Sequence, residues 1–397
     1  MATMPPLAVY LHWPFCAKIC PYCDFNVHLN RTPDIDIWRQ AFLSDMAHQA
    51  NLLAQNANGR QNQSRIGSIF FGGGTPSLMP PRLVADLLKG LSDIFGLTAH
   101  VEISMEANPA DLTADAMRDL RAAGINRLSL GIQSFEDKAL AFLGRTHTGA
   151  QARAAFLQAQ KIFPKTSFDL IYALPDETPQ NWAKNLRAAL ALSPTHLSAY
   201  QLTIEPRTPF YKYQQSGRLT PIDEETQAQL YEMTEAICRD EGLVRYETSN
   251  HAREGHACVH NLAIWRGGDY LGLGPGAHGR LHCAGNDDMA AGRHASYGHA
   301  KPQDWLAAVE QNGHGLAELT FQSPQDILEE ALMFGLRLSE GVALSRLKAL
   351  GFEPPAHVMT LLLEEGLRVD DAACLTLTPK GRLVLDSVLS ALLTSAR

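Results

Sequence analysis

Six short runs rich in β-branched and aromatic residues, separated by segments of helical periodicity, set the narrowest limit on what this chain can fold into. The runs are LAVYLHW (7–13), SIFFGG (68–73), VEISMEAN (101–108), RLSLGIQS (127–134), SFDLIYAL (167–174) and HLSAYQLTIE (196–205). Between them, WRQAFLSDMAHQANLLAQ from Trp38, PRLVADLLKGLSDIF from Pro81 and DLTADAMRDLRAAG closing on Gly124 carry apolar residues at helical spacing. Strand and helix in regular alternation build parallel βα units. The strand runs are nearly continuous in apolar character, as strands covered on both faces are. That pattern suits a closed or partly closed parallel barrel as well as an open sheet.

After Glu205 the character changes. EPRTPFYKYQQSGRLTP is turn-rich, a helix is expected from about Asp223 to Arg239, and the stretch from Tyr246 to Tyr297 is dense in Gly, His and Asn. From about Ser323 the pattern reads as a helix over 324–338, then VALSRLKAL and PAHVMTLLLEEG as helices. A pair of strands around LRVDDAACLTLT and a final helix, KGRLVLDSVLSALL, follow. This order resembles a winged-helix module, but its basic residues are too sparse for a DNA-reading face. Three units are expected: 1–245, 246–320 and 321–397.

With 34 basic and 42 acidic residues the formal net charge is -8, which argues against a nucleic-acid partner. The start, MATMPPLAVYLHWPF, has no basic n-region, and no run reaches the roughly 18 apolar residues of a membrane span, so a soluble cytoplasmic protein is expected. Seven cysteines, an odd number, argue for metal ligation, catalysis or simple burial rather than a disulfide framework.

Three of those cysteines crowd into CAKICPYC as Cys16, Cys20 and Cys23, directly after the first strand. Short spacers let one loop wrap three corners of a [4Fe–4S] cube and leave the fourth iron open. Structural zinc, with His12 or His28 as fourth ligand, is a second reading, and unrelated buried thiols a third. Tyr10, Phe15, Tyr22 and Phe25 surround the triplet and are expected to form an apolar collar that keeps water from a cluster.

The C-x3-C-x2-C triplet in this setting resembles the radical S-adenosylmethionine superfamily. The resemblance implies that the open iron is chelated by the methionine moiety, and that reduction of the cluster cleaves the sulfonium to a 5'-deoxyadenosyl radical. Further binding groups are then expected at strand ends. Gly72, Gly73 and Gly74 in FFGGGTP lack Cβ atoms, so the backbone there can approach a ligand closely. Glu106 ends the third strand and Gln133 the fourth, Arg145 follows in LGRTHT, and Asp169 lies on the fifth. Carboxylate, amide and guanidinium groups converging at one barrel mouth can hold ribose, adenine and a methionine carboxylate; the alternative reading is an ordinary structural salt bridge between Arg145 and Asp169.

Over nearly the whole chain the resemblance narrows to the oxygen-independent coproporphyrinogen oxidase family and its heme chaperone relatives. It rests on YLHWPFCAKICPYCDF, FFGGGTPSLM, NRLSLGIQSF, LGRTH, FDLIYALP and GLGPGAHG. The family implies an α/β fold, a partial (β/α)6 TIM-like barrel with a C-terminal helical, winged-helix-like domain. Tyr10, Gly73, Gly74, Thr75, Glu106, Gln133, Arg145 and Asp169 match its S-adenosylmethionine contacts.

The dehydrogenase branch implies another cysteine two residues after the third ligand and a long N-terminal arm. Here Asp24 and Phe25 follow Cys23, and 15 residues precede Cys16. Both features favour the heme chaperone branch, for which heme joins the cluster and S-adenosylmethionine as a cofactor and an acceptor protein is the partner. Peripheral contact with membrane-bound heme proteins and a homodimer are compatible with it. The branch implies an H-N-x-x-Y-W motif, met here as HNLAIW with Ile264 in place of tyrosine. His251, His256, His260, His278, His282, His294 and His299, with Cys258 and Cys283, offer axial ligands for heme iron, and His260 is the candidate taken forward.

Overall fold

A computed structural model describes residues 6–30, 32–54, 65–283, 285 and 289–394. The chain before Pro6 and the expected end of the first helix at Gln55 lie outside the described residues.

Among the described residues, twelve strands form one sheet. They are β1 (Leu7–Trp13), β2 (Ile66–Gly73), β3 (Leu97–Ala107), β4 (Arg127–Gln133), β5 (Lys165–Tyr172) and β6 (His196–Gln201). Then follow β7 (Val244–Arg245), β8 (Asn250–Ala252), β9 (Tyr270–Leu273), β10 (His278–Cys283), β11 (Gly292–Gly298) and β12 (Leu316–Phe321). The order is β12-β11-β10-β9-β1-β2-β3-β4-β5-β6-β8-β7. Strands β1 to β6 run parallel in sequence order, joined by helices such as Ile35–Ala54, Pro81–Phe95 and Ala114–Ala123, which makes the partial (β/α)6 barrel expected from the alternation.

Local signals hold closely. The second helix opens on Pro81, and Gly124 ends the third at φ 121, a conformation that favours glycine. Two expectations are corrected. The sixth strand stops at Gln201 rather than Glu205, and a seventh parallel strand, β9, lies beside β1. Residues 246–320, read as a connecting region, contribute β8 to β12 to the same sheet. Their Gly and His content hid strand patterns only a few residues long.

Strand alternation separates two environments. Val9 and Leu11 face the helices and are fully buried in the main core, where Trp38 stacks on Trp305 at 5.5 Å between ring centroids. Such an aromatic pair contributes about 0.5–1.5 kcal/mol beyond its area burial. The other face, inside the barrel, is polar: Ser68, Glu102, Ser104, Arg127, Ser129, Ser167 and His196 are all buried. The runs that read as continuously apolar thus conceal a hydrogen-bonding interior, in which Ser167 Oγ meets His196 Nδ1 at 2.7 Å.

The helix Val259–Trp265, which carries HNLAIW, closes the barrel at the end where the strands begin. The Val259 N–H donates to Glu102 Oε1 at 2.8 Å, and the His260 ring stacks on Phe70 at 5.1 Å with its Nδ1 3.3 Å from Ser68 Oγ. The far end of this helix seats the C-terminal helices. Trp265 packs edge-on against Phe334, the Arg337 guanidinium lies 4.7 Å over its indole, and Arg266 makes two 2.7 Å bonds to Glu340.

Helices Pro324–Gly335, Leu344–Ala349 and Ala356–Glu364, paired strands Val342–Ala343 and Cys374–Leu375, and helix Leu385–Thr394 complete the winged-helix-like unit around its own apolar core. The first of these helices ends at Gly335, three residues earlier than its periodicity suggests.

Candidate functional site

The loop after β1 is tied down at several points. The His28 N–H donates to Pro14 O at 2.7 Å, Thr75 N–H to Phe15 O at 2.9 Å, and Phe210 N–H to Pro21 O at 3.0 Å. So held, Cys16, Cys20 and Cys23 all line one cavity of about 740 Å³ at the strands' C-terminal ends. None of the three is in a disulfide. Gly73, Gly74, Thr75, Glu106, Gln133, Arg145 and Asp169 line the same cavity, so seven of the eight positions matched to nucleotide contacts meet the three thiols in one space. Tyr10 does not line it. Its ring lies in the barrel behind Gly72, and its hydroxyl donates to His12 Nδ1 at 3.2 Å.

Burial pushes the Cys16 thiol up and the Cys23 thiol to about 11. Two donors are directed at the sulfurs: Thr75 Oγ1–H points to Cys16 Sγ, where it opposes the rise from burial, and Arg145 Nη1–H to Cys20 Sγ, each at 3.4 Å. Arg145 also donates through Nη2 to Asn108 Oδ1 at 3.0 Å and Gly131 O at 2.7 Å, so it is braced against the fourth strand and not ion-paired with Asp169. Gln133, at φ 68, holds a buried Oε1 without a partner inside the cavity. An unpaired buried amide on a left-handed residue is a costly arrangement of the kind met at ligand sites.

Glu106 and Asp169 form the acidic part of the cavity. Burial, with Asp169 adding, pushes Glu106 up to about 8, opposed by the Gly73 N–H bond at 3.3 Å. Asp169 is raised by burial as well and accepts from Ser129 Oγ–H at 3.3 Å.

The glycine triplet has a reason nearer than a ligand. A Cβ on Gly73 would lie 2.6 Å from the His12 ring, at φ 107, and one on Gly74 would lie 2.6 Å from Phe15 O. These residues let the cysteine loop pack on β2, and so bring the thiols to the nucleotide side.

The three thiols and their donors fit a cube-type cluster with one open corner. The zinc reading lacks its fourth ligand: neither His12 nor His28 lines the cavity that the three thiols share, and the His12 ring is bonded through Nε2 to Asn26 O at 2.8 Å and through Nδ1 to the Tyr10 hydroxyl. Among the described residues no three His, Cys, Asp or Glu side chains gather around a single ion.

The apolar collar is half right. Tyr22 and Phe25 line the cavity, whereas Phe15 turns into the core against Trp13 and Trp38, and Tyr10 sits inside the barrel. None of the seven histidines from His251 to His299 lines the cavity. His260 is 3% exposed on the barrel floor, where burial pushes its pKa down to about 3. Cys258 and Cys283 are buried too.

Three contributors were not singled out from sequence. Asn26 ties the cysteine loop to the GPGAH turn through an Nδ2–H bond to Pro275 O, and to the segment before helix Pro302–Asn312 through one to Ala300 O. Asn108 braces Arg145, and Arg127 is a buried cation below Glu106 and Asp169. A charged residue opening an otherwise apolar strand, as in NRLSLGIQS, was the available signal for Arg127.

Comparison with known proteins agrees with this architecture. Residues 10–189 match the Radical SAM superfamily and residues 322–384 the HemN C-terminal domain. The bovine "Radical S-adenosyl methionine domain-containing protein 1, mitochondrial" is 36% identical across 98% of this chain and 87% of its own length. The "Heme chaperone HemW" of Escherichia coli is 40% identical across 71% of this chain and 72% of its own, and that of Bacillus subtilis 31% identical across 97% and 99%. The solved structure of Escherichia coli coproporphyrinogen III oxidase (HemN) shares the fold, with a TM-score of 0.79, 23% identity and coverage of 98% of this chain and 90% of that one. From whole-length identity and a shared fold, the chain belongs to the radical SAM superfamily, in the oxygen-independent coproporphyrinogen III oxidase-like family that includes the heme chaperones.

Proposed function

We propose that this chain is a heme chaperone that binds heme, a [4Fe–4S] cluster and S-adenosylmethionine and passes heme to an acceptor protein. The observation that carries this reading is its 31% identity to the Bacillus subtilis heme chaperone over 97% of this chain and 99% of that one. Family membership implies the cluster and S-adenosylmethionine; heme and its transfer are inferred from the relatives.

In this reading Cys16, Cys20 and Cys23 ligate the cluster. Gly73, Gly74 and Thr75 cradle the methionine moiety, Arg145 meets its carboxylate, Gln133 reads adenine, and Glu106 and Asp169 hold ribose hydroxyls. Tyr10 acts from behind by packing on the glycine turn. When bound, the cluster supplies an electron that can cleave the sulfonium. The protein's own part is to orient the nucleotide and to direct the Thr75 and Arg145 donors at the Cys16 and Cys20 sulfurs.

Residues 1–245 form the cluster and nucleotide unit in this proposal, 246–320 the link and 321–397 the winged-helix-like unit. The barrel-floor helix joins them. No helix among the described residues is long and apolar enough to cross a membrane. We place the chain in the cytoplasm, in peripheral contact with membrane-bound heme proteins, and allow a homodimer. Nucleic acid is not among its partners.

The competing reading is oxygen-independent coproporphyrinogen III dehydrogenation. An anaerobic assay of the cluster-reconstituted protein with S-adenosylmethionine, reductant and coproporphyrinogen III, read by product mass, separates the two, alongside a heme titration. Saturable heme binding without turnover is expected. Loss of two carboxyl groups from the substrate would replace the chaperone assignment with the dehydrogenase.

A further inference from the structure

Strand β4 does not run straight into the cavity. Leu130 is level with Phe168 of β5 and Gln133 with Leu170, so three steps along one strand are matched by two along the other. The extra residue is a β-bulge, a device that re-aims the side chain beyond it and is frequent beside binding sites. On the other side, the pairing of β4 with β3 ends at Leu130 and Ala107. Gly131 and Ile132 therefore stand outside both ladders, and their carbonyls need other donors.

Both donors come from one short segment, LGRTH. Arg145 Nη2–H reaches Gly131 O at 2.7 Å, and His147 Nε2–H reaches Ile132 O at 3.0 Å. The segment is fixed on either side. Arg145 N–H donates to Leu140 O at 2.9 Å, and Thr148 closes a capping box with Gln151 on the next helix, Gly149–Ile162. Two residues, two positions apart, thus clamp consecutive carbonyls of the bulge.

The residue that follows is Gln133, at φ 68, where a side chain other than glycine is strained. Its amide lies over Gly131: a Cβ there would be 3.1 Å from Gln133 Nε2 and 3.6 Å from Arg145 Nη2. Strained backbone of this kind persists only where its surroundings hold it, and the clamp on Ile132 O is the hold on the peptide that leads into Gln133.

The bond also decides the state of the imidazole. A carbonyl only accepts, so Nε2 carries the ring proton and Nδ1 the lone pair. His147 is 4% exposed, and its Nδ1 is buried with no partner among the described residues. Burial and the Arg145 guanidinium push its pKa down to about 4, so the ring is neutral. An unpaired buried nitrogen costs at least what one neutral hydrogen bond returns, so packing alone would favour an aliphatic side chain at this position. What an aliphatic side chain lacks is the N–H for Ile132.

We propose that His147 is a positioning residue: its Nε2–H holds the bulge at Ile132, which keeps Gln133 in its left-handed conformation with its amide in the nucleotide cavity. This rests on the assignment of Gln133 to the nucleotide in the reading above, and the experiment separates the two.

The full-length, cluster-loaded protein is titrated calorimetrically with S-adenosylmethionine, unaltered and as His147→Leu, His147→Gln, Gln133→Ala and the double variant His147→Leu, Gln133→Ala. Iron content and thermal midpoint report that each variant is folded. His147→Leu and Gln133→Ala are each expected to weaken binding about tenfold, and the double variant no further, because His147 acts through Gln133. His147→Gln, which presents an amide N–H near the place of Nε2, is expected to stay within about threefold of the unaltered protein. Should His147→Leu fail to load its cluster, His147→Asn, whose amide stops one carbon short of the carbonyl, replaces it with the same expectation.

Losses that multiply to about a hundredfold in the double variant would show that His147 acts independently of Gln133 and would overturn the proposal. Unchanged affinity in His147→Leu would do the same, as would a loss in His147→Gln as large as that in His147→Leu. In each of these cases the nucleotide assignment of Gln133 still stands. Unchanged affinity in Gln133→Ala, or no binding by the unaltered protein, would overturn that assignment itself, and the proposal with it.

Discussion

Arg145 Nη1 donates to Cys20 Sγ at 3.4 Å while its Nη2 is held by Asn108 Oδ1 and Gly131 O. One guanidinium thus joins the cysteine loop to the fourth strand, using a planar fork that an ammonium cannot reproduce. Arg145→Lys is expected to keep the fold and lower S-adenosylmethionine affinity by about tenfold, the loss of roughly one charge-assisted hydrogen bond. Calorimetric titration of the cluster-loaded variant checks this, and unchanged affinity would remove Arg145 from the site.

The cluster assignment separates the cysteines by location. Cys16, Cys20 and Cys23 line the cavity, whereas Cys283 is 4% exposed in the extended sheet. Alanine at any of the first three is expected to abolish stable reconstitution, and Cys283→Ala to retain about four iron and four sulfide per chain. Chemical iron and sulfide analysis after anaerobic reconstitution makes the comparison.

Gly73→Ala meets two obstacles, a φ of 107 and a Cβ placed 2.6 Å from the His12 ring. A loss of about 1–3 kcal/mol is expected from the backbone conformation alone. Urea denaturation should show a lower midpoint at unchanged slope, and a midpoint equal to that of the unaltered protein would mean that β2 and the cysteine loop can part at little cost.

The folded-state pKa of Glu106, about 8, lies above its ordinary value of 4.5, chiefly through burial. Between those limits the unfolded chain releases a proton that the folded chain keeps, so this group's contribution to stability is full below about pH 4.5 and falls as pH rises toward 8. Glu106→Gln removes that dependence. Its thermal midpoint, relative to the unaltered protein, is expected to be higher at pH 8 than at pH 5, measured without nucleotide. An equal difference at both pH values would mean that Glu106 is ionised throughout.

Trp265 takes an edge contact from Phe334 and the Arg337 guanidinium 4.7 Å over its face. Trp265→Ala is expected to cost about 2–4 kcal/mol, from lost burial and the cation–π contact. Limited proteolysis should then release the C-terminal unit earlier than in the unaltered protein, while the cysteine cavity keeps its cluster. Simultaneous loss of cluster would show that the floor helix also supports the site.

Local chemistry already decided much of this protein. Alternating strand and helix periods dictate parallel βα units, Pro81 and Gly124 set helix ends within a residue, and C-x3-C-x2-C puts three thiols on one loop because a short spacer leaves them nowhere else to go. Seven of the eight nucleotide positions reached one cavity, six of them because they stand on or just after the C-terminal half of a parallel strand and parallel strands all end on one side, and Arg145 because it follows a short helix back to Gly131. What pairs residues far apart in the chain was decided only on folding. Nothing in YLGL announces that it joins β1, or that Phe15 turns into the core while Phe25 faces water. The fate of His260 is of this kind: HNLAIW reads as a ligand motif, but the helix that carries it plugs the barrel, and burial beside Phe70 and Glu102 depends on strands more than 150 residues away in sequence. Spacing along the chain specifies groups within a loop or at a strand end, and the side of the sheet they meet is set by packing.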